Sequence, residues 1–254
     1  MLHEHHLTVE RTARYFTIEP GEAGAREVWL VCHGYSQLAE RFLRQFAALD
    51  DGRRLVVAPE ALSRFYLHEV EPPASEASHA GVPRTDAPRT ETLRSGAPRP
   101  SGSHALGGRV GASWMTRQDR LSEIADYVAY LDALARHVFR RVERSAVTLR
   151  VLGFSQGGAT AARWTALGTT QVDELILWGS HLPPDLDLAA APGLGGTPVR
   201  FVWGEGDPYY DAARVAEDQA RLAAAGIPCR VTTYRGGHDI SRSVLTAIAE
   251  EESR

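Results

Sequence analysis

Between residues 153 and 157 the chain reads Gly-Phe-Ser-Gln-Gly, directly after the apolar run Val147–Leu152. This G-x-S-x-G order, set between a strand and a helix, can hold a serine hydroxyl out above a sheet as a nucleophile. The turn it needs is so tight that the positions flanking the serine must be almost free of side chain. A hydroxyl attacks poorly until a base takes its proton, and two later loops carry suitable groups. Gly204-Glu205-Gly206-Asp207-Pro208 follows the run Val199–Trp203, and Gly236-Gly237-His238-Asp239 follows Arg230–Tyr234. Ser155, Asp207 and His238 therefore arrive in the order nucleophile, acid, base, each behind its own apolar run. In this reading His238 is the general base, and Asp207 fixes its tautomer and stabilises the imidazolium. Glu205 and Asp211 are alternative acids, and His33 and His181 are further histidines near the ends of apolar runs. The competing structural reading makes Ser155 part of a plain small-residue turn and Asp207 a turn cap.

Acyl transfer at a serine also needs two backbone N–H donors for the developing oxyanion. Gln156, the residue after the nucleophile, supplies one, and the loop His33-Gly34-Tyr35-Ser36 is placed to supply the other through Tyr35. Loss of one such donor lowers turnover by about 10²–10³. Trp114 and Met115 precede a long helix and are candidates for lining a substrate groove, with core packing as the alternative; His181 is a further candidate for facing the same cleft. His3, His5 and His6 have no partner ligands in the sequence around them. There is neither a Gly-x-Gly-x-x-Gly after a strand nor a paired cysteine motif. No metal and no cofactor are therefore expected.

The elements that must position these groups alternate along the chain. Val28–Cys32, Leu55–Ala58, Val147–Leu152, Leu175–Trp178, Val199–Trp203 and Arg230–Tyr234 are short strand runs, most of them continuously apolar. Leu38–Leu49, Asp119–Val142, Gln156–Leu167, Ala212–Ala225 and Ile240–Glu251 have helical character, the second with Leu121, Ile124, Val128, Leu131, Leu134 and Val138 on one side. Leu7–Ile18 alternates as an early strand or hairpin would. Such runs separated by helices indicate an α/β fold, a mostly parallel central sheet with helices on both faces.

At 254 residues and 43% hydrophobic, the chain has the size of one domain spanning 1–254. A formal charge of −4 gives no basic footprint, so nucleic acid is not an expected partner. All 28 basic residues are arginine, which excludes Schiff-base lysine and P-loop lysine chemistry. Cys32 and Cys229 are expected to be buried free thiols in a reducing compartment. With no secretion signal and no apolar run of about 18 residues, the expectation is a soluble cytoplasmic protein without integral membrane association.

Taken together, His33-Gly34-Tyr35, Gly153-Phe154-Ser155-Gln156-Gly157-Gly158, Gly204-Glu205-Gly206-Asp207 and Gly237-His238 resemble the phospholipase/carboxylesterase family, the acyl-protein thioesterase-like branch of the α/β-hydrolases. The likeness runs from about Val28 onward. It implies an α/β-hydrolase fold and a cofactor-free serine hydrolase. Its substrates would be small carboxylic esters, with thioesters or lysophospholipids also in range. The alternatives are a peptidase of the same fold and a binding protein that keeps the fold without turnover. The chain departs from better-known members in two ways. Tyr35 puts a bulky ring where a His-Gly-Leu-Gly type loop is frequent, which implies a narrower or more polar mouth. A Pro-, Ser- and Arg-rich insertion also occupies about 71–108, with Pro-Arg-Thr twice within it.

That insertion holds few aliphatic residues and is expected to be a disordered loop, with a lid over the site as the functional alternative. Deletion of Pro72–Gly107 is expected to leave the fold intact and to change turnover of a small ester by less than about tenfold. Collapse of turnover on small and large esters alike would support the lid.

Overall fold

A computed structural model describes residues 1–67 and 108–251. Apart from Gly108, the insertion expected at 71–108 lies outside the described residues. Seven strands form one sheet: β1 (Tyr15–Ile18), β2 (Glu27–Cys32), β3 (Arg54–Pro59), β6 (Thr148–Phe154), β7 (Glu174–Trp178), β8 (Val199–Gly204) and β9 (Cys229–Tyr234). Their spatial order is β1-β3-β2-β6-β7-β8-β9, with β1 antiparallel to β3 and the other neighbours parallel. Two further strands among the described residues, β4 (Ser63–Tyr66) and β5 (Val110–Ser113), form a separate antiparallel ribbon. Each arm is only four residues long, too short to stand out as a strand in the sequence.

Alternation along the central strands divides the core between the two faces. Val28, Leu30 and Cys32 of β2 enter one core with Leu149 and Val151 of β6. Trp29 and Val31 enter the other with Leu152 and Phe154. The first core is covered by α2 (Arg120–Val138), α3 (Gln156–Leu167) and α4 (Ala212–Ala224), the second by α1 (Ala39–Leu43) and α5 (Arg242–Glu250). The expected α/β architecture, with helices on both faces, is the one observed.

Several boundaries differ from expectation, for identifiable reasons. The Leu38–Leu49 helix is α only to Leu43, where it buries Phe42, and continues as a 3₁₀ segment, Arg44–Leu49, which buries Phe46 and Leu49. Strand pairing begins only at Tyr15, and Leu7 and Val9 are exposed. Leu121 is 74% exposed at the start of α2, whereas Asp132 on the same helix is buried. The Asp132 carboxylate accepts from the Trp164 indole and from the amides and hydroxyls of Thr169 and Thr170. Burial pushes its pKa up, but these donors outweigh burial and hold it below the ordinary carboxylate value. Cys32 is fully buried, but Cys229 is only partly so, because it opens the edge strand β9.

Three arginines do work that a lysine could not do in the same way. Arg54, Arg150 and Arg200 sit near the amino-terminal ends of β3, β6 and β8, all nearly inaccessible. Arg54 donates to the Ala249 carbonyl, and Arg150 to those of Ile248 and Glu251. A helix end leaves its last carbonyls without intrahelical partners, and here the forked guanidinium donors meet them. Arg150 also lies 5.3 Å from the Trp29 ring centroid, and Arg200 pairs with Glu174 and Glu251. Arg150→Ala is expected to lower unfolding stability by about 3 kcal/mol by leaving buried partners unmatched. Urea denaturation measures this, and the folded fraction should keep its site intact, since Arg150 lies at the opposite end of β6 from Ser155.

Candidate active site

The parallel register brings the functional loops to one edge. Cys32 pairs with Gly153, Phe154 with Trp178, Trp178 with Val202, and Gly204 with Tyr234. The segments beginning at His33, Ser155, Gly179, Glu205 and Arg235 therefore all leave the sheet at its carboxyl end, the usual place for sites in α/β sheets.

Ser155 follows β6 and precedes α3 with φ 53° and ψ −120°. A non-glycine residue there is strained by about 1–3 kcal/mol and persists only where its surroundings enforce it. The enforcement is close contact. A Cβ on Gly153 would fall 2.2 Å from the Gly157 carbonyl oxygen, and one on Gly157 would fall 2.2 Å from that of Cys32. The Ser155 amide donates to the Trp178 carbonyl at 2.9 Å, tying the turn to β7. Serine commonly caps helices with its hydroxyl, but Ser155 makes no such bond to α3.

His238 and Asp207 meet as expected. The His238 Nδ1–H donates to Asp207 Oδ2 at 2.7 Å, and Asp207 Oδ1 accepts the Tyr209 amide at 2.8 Å. The Asp207 side chain is 1% exposed and that of His238 21%. This arrangement leaves Nε2 as the imidazole's acceptor. Two backbone bonds hold the loops together: the Glu205 amide donates to the Tyr234 carbonyl and the Gly206 amide to that of Gly236. The imidazole touches Phe154, the residue before the serine, and Tyr209, each with ring centroids 4.8 Å away. Among the described residues the Ser155 hydroxyl has no hydrogen-bond partner, so no bond joins it to His238.

The alternative groups are occupied elsewhere. Asp211 caps α4 by accepting from the amides of Ala213 and Arg214, and Glu205 is exposed. His181 pairs with Asp218 of α4 at 3.2 Å. His33 is fully buried, with Nδ1 donating to the Gly34 carbonyl and Nε2 accepting the Ala61 amide. Burial pushes its pKa down, against the opposing pull of the Gly34 bond and the Glu60 charge.

Beside Ser155, the loop of Gly34 and Tyr35 is built against the β4–β5 ribbon. The Ser36 amide donates to the Ala112 carbonyl, the Ala112 amide to that of Gln37, and the Tyr35 ring stacks on Phe65 at 5.3 Å. Ser36 has φ 63°, and a Cβ on Gly111 would fall 2.7 Å from its carbonyl oxygen. Among the described residues neither the Tyr35 nor the Gln156 amide meets an acceptor. The Gln156 side chain has a role the sequence did not reveal. It accepts the Trp114 amide and donates to the Ser113 hydroxyl and the Met115 carbonyl, fastening the start of α3 to the segment after β5.

Trp114 is only 3% exposed, and its indole donates to the His33 carbonyl. These contacts make it a wall behind the loop and favour the packing alternative over an open groove position. Met115 is partly buried, packs against the core and receives Arg163 at its sulfur. In the fold His6 lies 3.1 Å from Asp119 and 3.6 Å from its sequence neighbour Glu4, all three exposed.

No protein-family model matches the chain, and no curated protein matches it in sequence. Solved structures do. The chain superposes on the esterase PE8 with TM-score 0.63 at 16% identity, covering 94% of this chain and 98% of that one. Zea mays acyl-protein thioesterase 2 gives 0.59 at 14% identity, over 94% and 98% of the two chains. The Bacillus cereus carboxylesterase gives 0.59 at 15% identity, over 94% and 92%.

One position tests the geometry directly. Gly179, after β7, has φ 57°, and a Cβ there would sit 2.9 Å from Cε1 and 3.0 Å from Nδ1 of His238. Gly179→Ala is expected to lower kcat on an activated ester about 10- to 100-fold by displacing the imidazole. Gly24→Ala carries similar backbone strain at φ 77° with nothing within 4 Å, and it should leave kcat unchanged. Steady-state kinetics on both variants checks this. The ordered sheet, its carboxyl-edge loops and these superpositions together give the chain the α/β-hydrolase fold seen in those esterases and thioesterases.

Proposed function

We propose that the protein is a serine esterase of the phospholipase/carboxylesterase type. The observation that carries this reading is the 2.7 Å bond from His238 to Asp207, beside a serine held in a strained turn with its hydroxyl unused by the helix. Ser155 Oγ attacks the ester carbonyl while His238 Nε2 takes its proton. Asp207 holds the tautomer and stabilises the imidazolium. The Tyr35 and Gln156 amides receive the oxyanion. His238 then gives its proton to the leaving alcohol, an acyl-enzyme remains on Ser155, and water activated by the same histidine releases the acid. The carboxylic ester is the substrate class this reading assigns; thioesters and lysophospholipids follow the same chemistry. The likeness to carboxylesterases and an acyl-protein thioesterase supports the reading through the fold they share. Among the described residues no helix is long and apolar enough to cross a membrane.

A fluorophosphonate probe is expected to label Ser155 alone. Ser155→Ala should abolish labelling and lower p-nitrophenyl ester turnover by at least about 10³-fold. Labelling that survives in Ser155→Ala, or turnover kept by that variant, would refute the proposal.

A further inference from the structure

Two large aromatic side chains stand open beside the catalytic groups. Tyr209 is 67% exposed although its backbone is fixed, its amide donating to Asp207 Oδ1. Its ring meets the His238 imidazole in a T-shaped contact, with centroids 4.8 Å apart and planes 68° apart. Tyr35 is 57% exposed and stacks on Phe65. The turn around Asp207 needs only the Tyr209 amide, so its geometry does not explain the ring.

The reaction assigns a side of the site to that ring. Resting on the esterase reading, His238 delivers its proton to the oxygen of the leaving alcohol. That oxygen must therefore lie against the imidazole during acylation. A group that touches the imidazole from the solvent side borders the alcohol part of the ester. Phe154, the other ring in contact with His238, is 5% exposed and belongs to the core. Tyr209 is the one with surface to offer.

We propose that Tyr209 is a specificity-determining residue whose ring packs against an aromatic alcohol moiety, so that the site favours esters of aryl or arylmethyl alcohols. Aromatic rings gain from edge and offset contacts with one another beyond the area they bury, and a saturated ring of similar size lacks that gain. In the step itself the bond between the acyl carbon and the alcohol oxygen breaks, that oxygen takes the proton from His238, and the acyl group stays on Ser155.

Benzyl acetate and cyclohexylmethyl acetate test this, because they share an acyl group and a primary alcohol and differ in the aromatic ring. The wild-type protein is expected to favour the benzyl ester in kcat/KM by about 3- to 10-fold. Tyr209→Leu should bring that ratio close to one, and Tyr209→Phe should keep it. A ratio unchanged in Tyr209→Leu overturns the proposal, and so does an equal fall for both esters, since the ring would then only be positioning His238. Absence of any Ser155-dependent turnover of either ester in the wild type would instead remove the esterase reading itself, a result separate from an unchanged ratio.

Discussion

A serine with positive φ at the end of a strand is unfavourable in isolation, and much of the carboxyl edge serves to keep it there. The turn closes only because the backbone around Gly153, Gly157 and Cys32 approaches within distances that leave no room for a Cβ. The strain is local, about 1–3 kcal/mol, while the constraint that balances it is distributed over β2, β6 and β7. Three strands must end in register for the contact to exist, and they do, with Cys32 beside Gly153 and Phe154 beside Trp178. The same register presents the acid and histidine loops one and two strands further along. The Asp207–His238 bond is thus a consequence of strand alignment as much as of the two residues.

The opposite edge of the sheet solves a different problem with a restricted alphabet. Without lysine, the chain meets its buried cation positions with arginine, whose planar fork reaches several carbonyls and carboxylates at once. Arg54, Arg150 and Arg200 join the start of the strands to the end of α5. A terminal helix that packs on the second core is thereby held at its carbonyl end as well as along its apolar face. One edge is built for rigidity through ion pairing, and the other carries the strain and the exposed groups.

Much of the site was legible because its chemistry demands local sequence. The turn at Ser155 needs small residues around it, and Asp207 and His238 each follow a strand, so their order and context stand out in the sequence. The fold was legible for a similar reason, since strands buried on both faces read as continuous apolar runs. What escaped was whatever depended on distant pairing. The β4–β5 ribbon brackets the insertion and shows itself only when Ser36 and Gln37 bond to Ala112. Asp132 is buried on α2 because Thr169, Thr170 and Trp164 converge on it from another part of the chain. Trp114 resembled a groove residue because its position after the insertion is near the site. Its indole nevertheless turns inward to the His33 carbonyl. Leu121 fits the helical period of α2, yet it is exposed at the start of the helix. Periodicity can say which residues share a face but not where that face stops meeting the core.

The proposed ester chemistry runs through a covalent intermediate at Ser155. Rapid mixing with p-nitrophenyl acetate, followed by quenching in acid and peptide mass mapping, addresses it most directly. The prediction is a burst of p-nitrophenol stoichiometric with the protein, together with one acetyl group on the peptide that contains Ser155. Turnover without acetylation of that peptide, or acetylation at another residue that is kinetically competent, would contradict it.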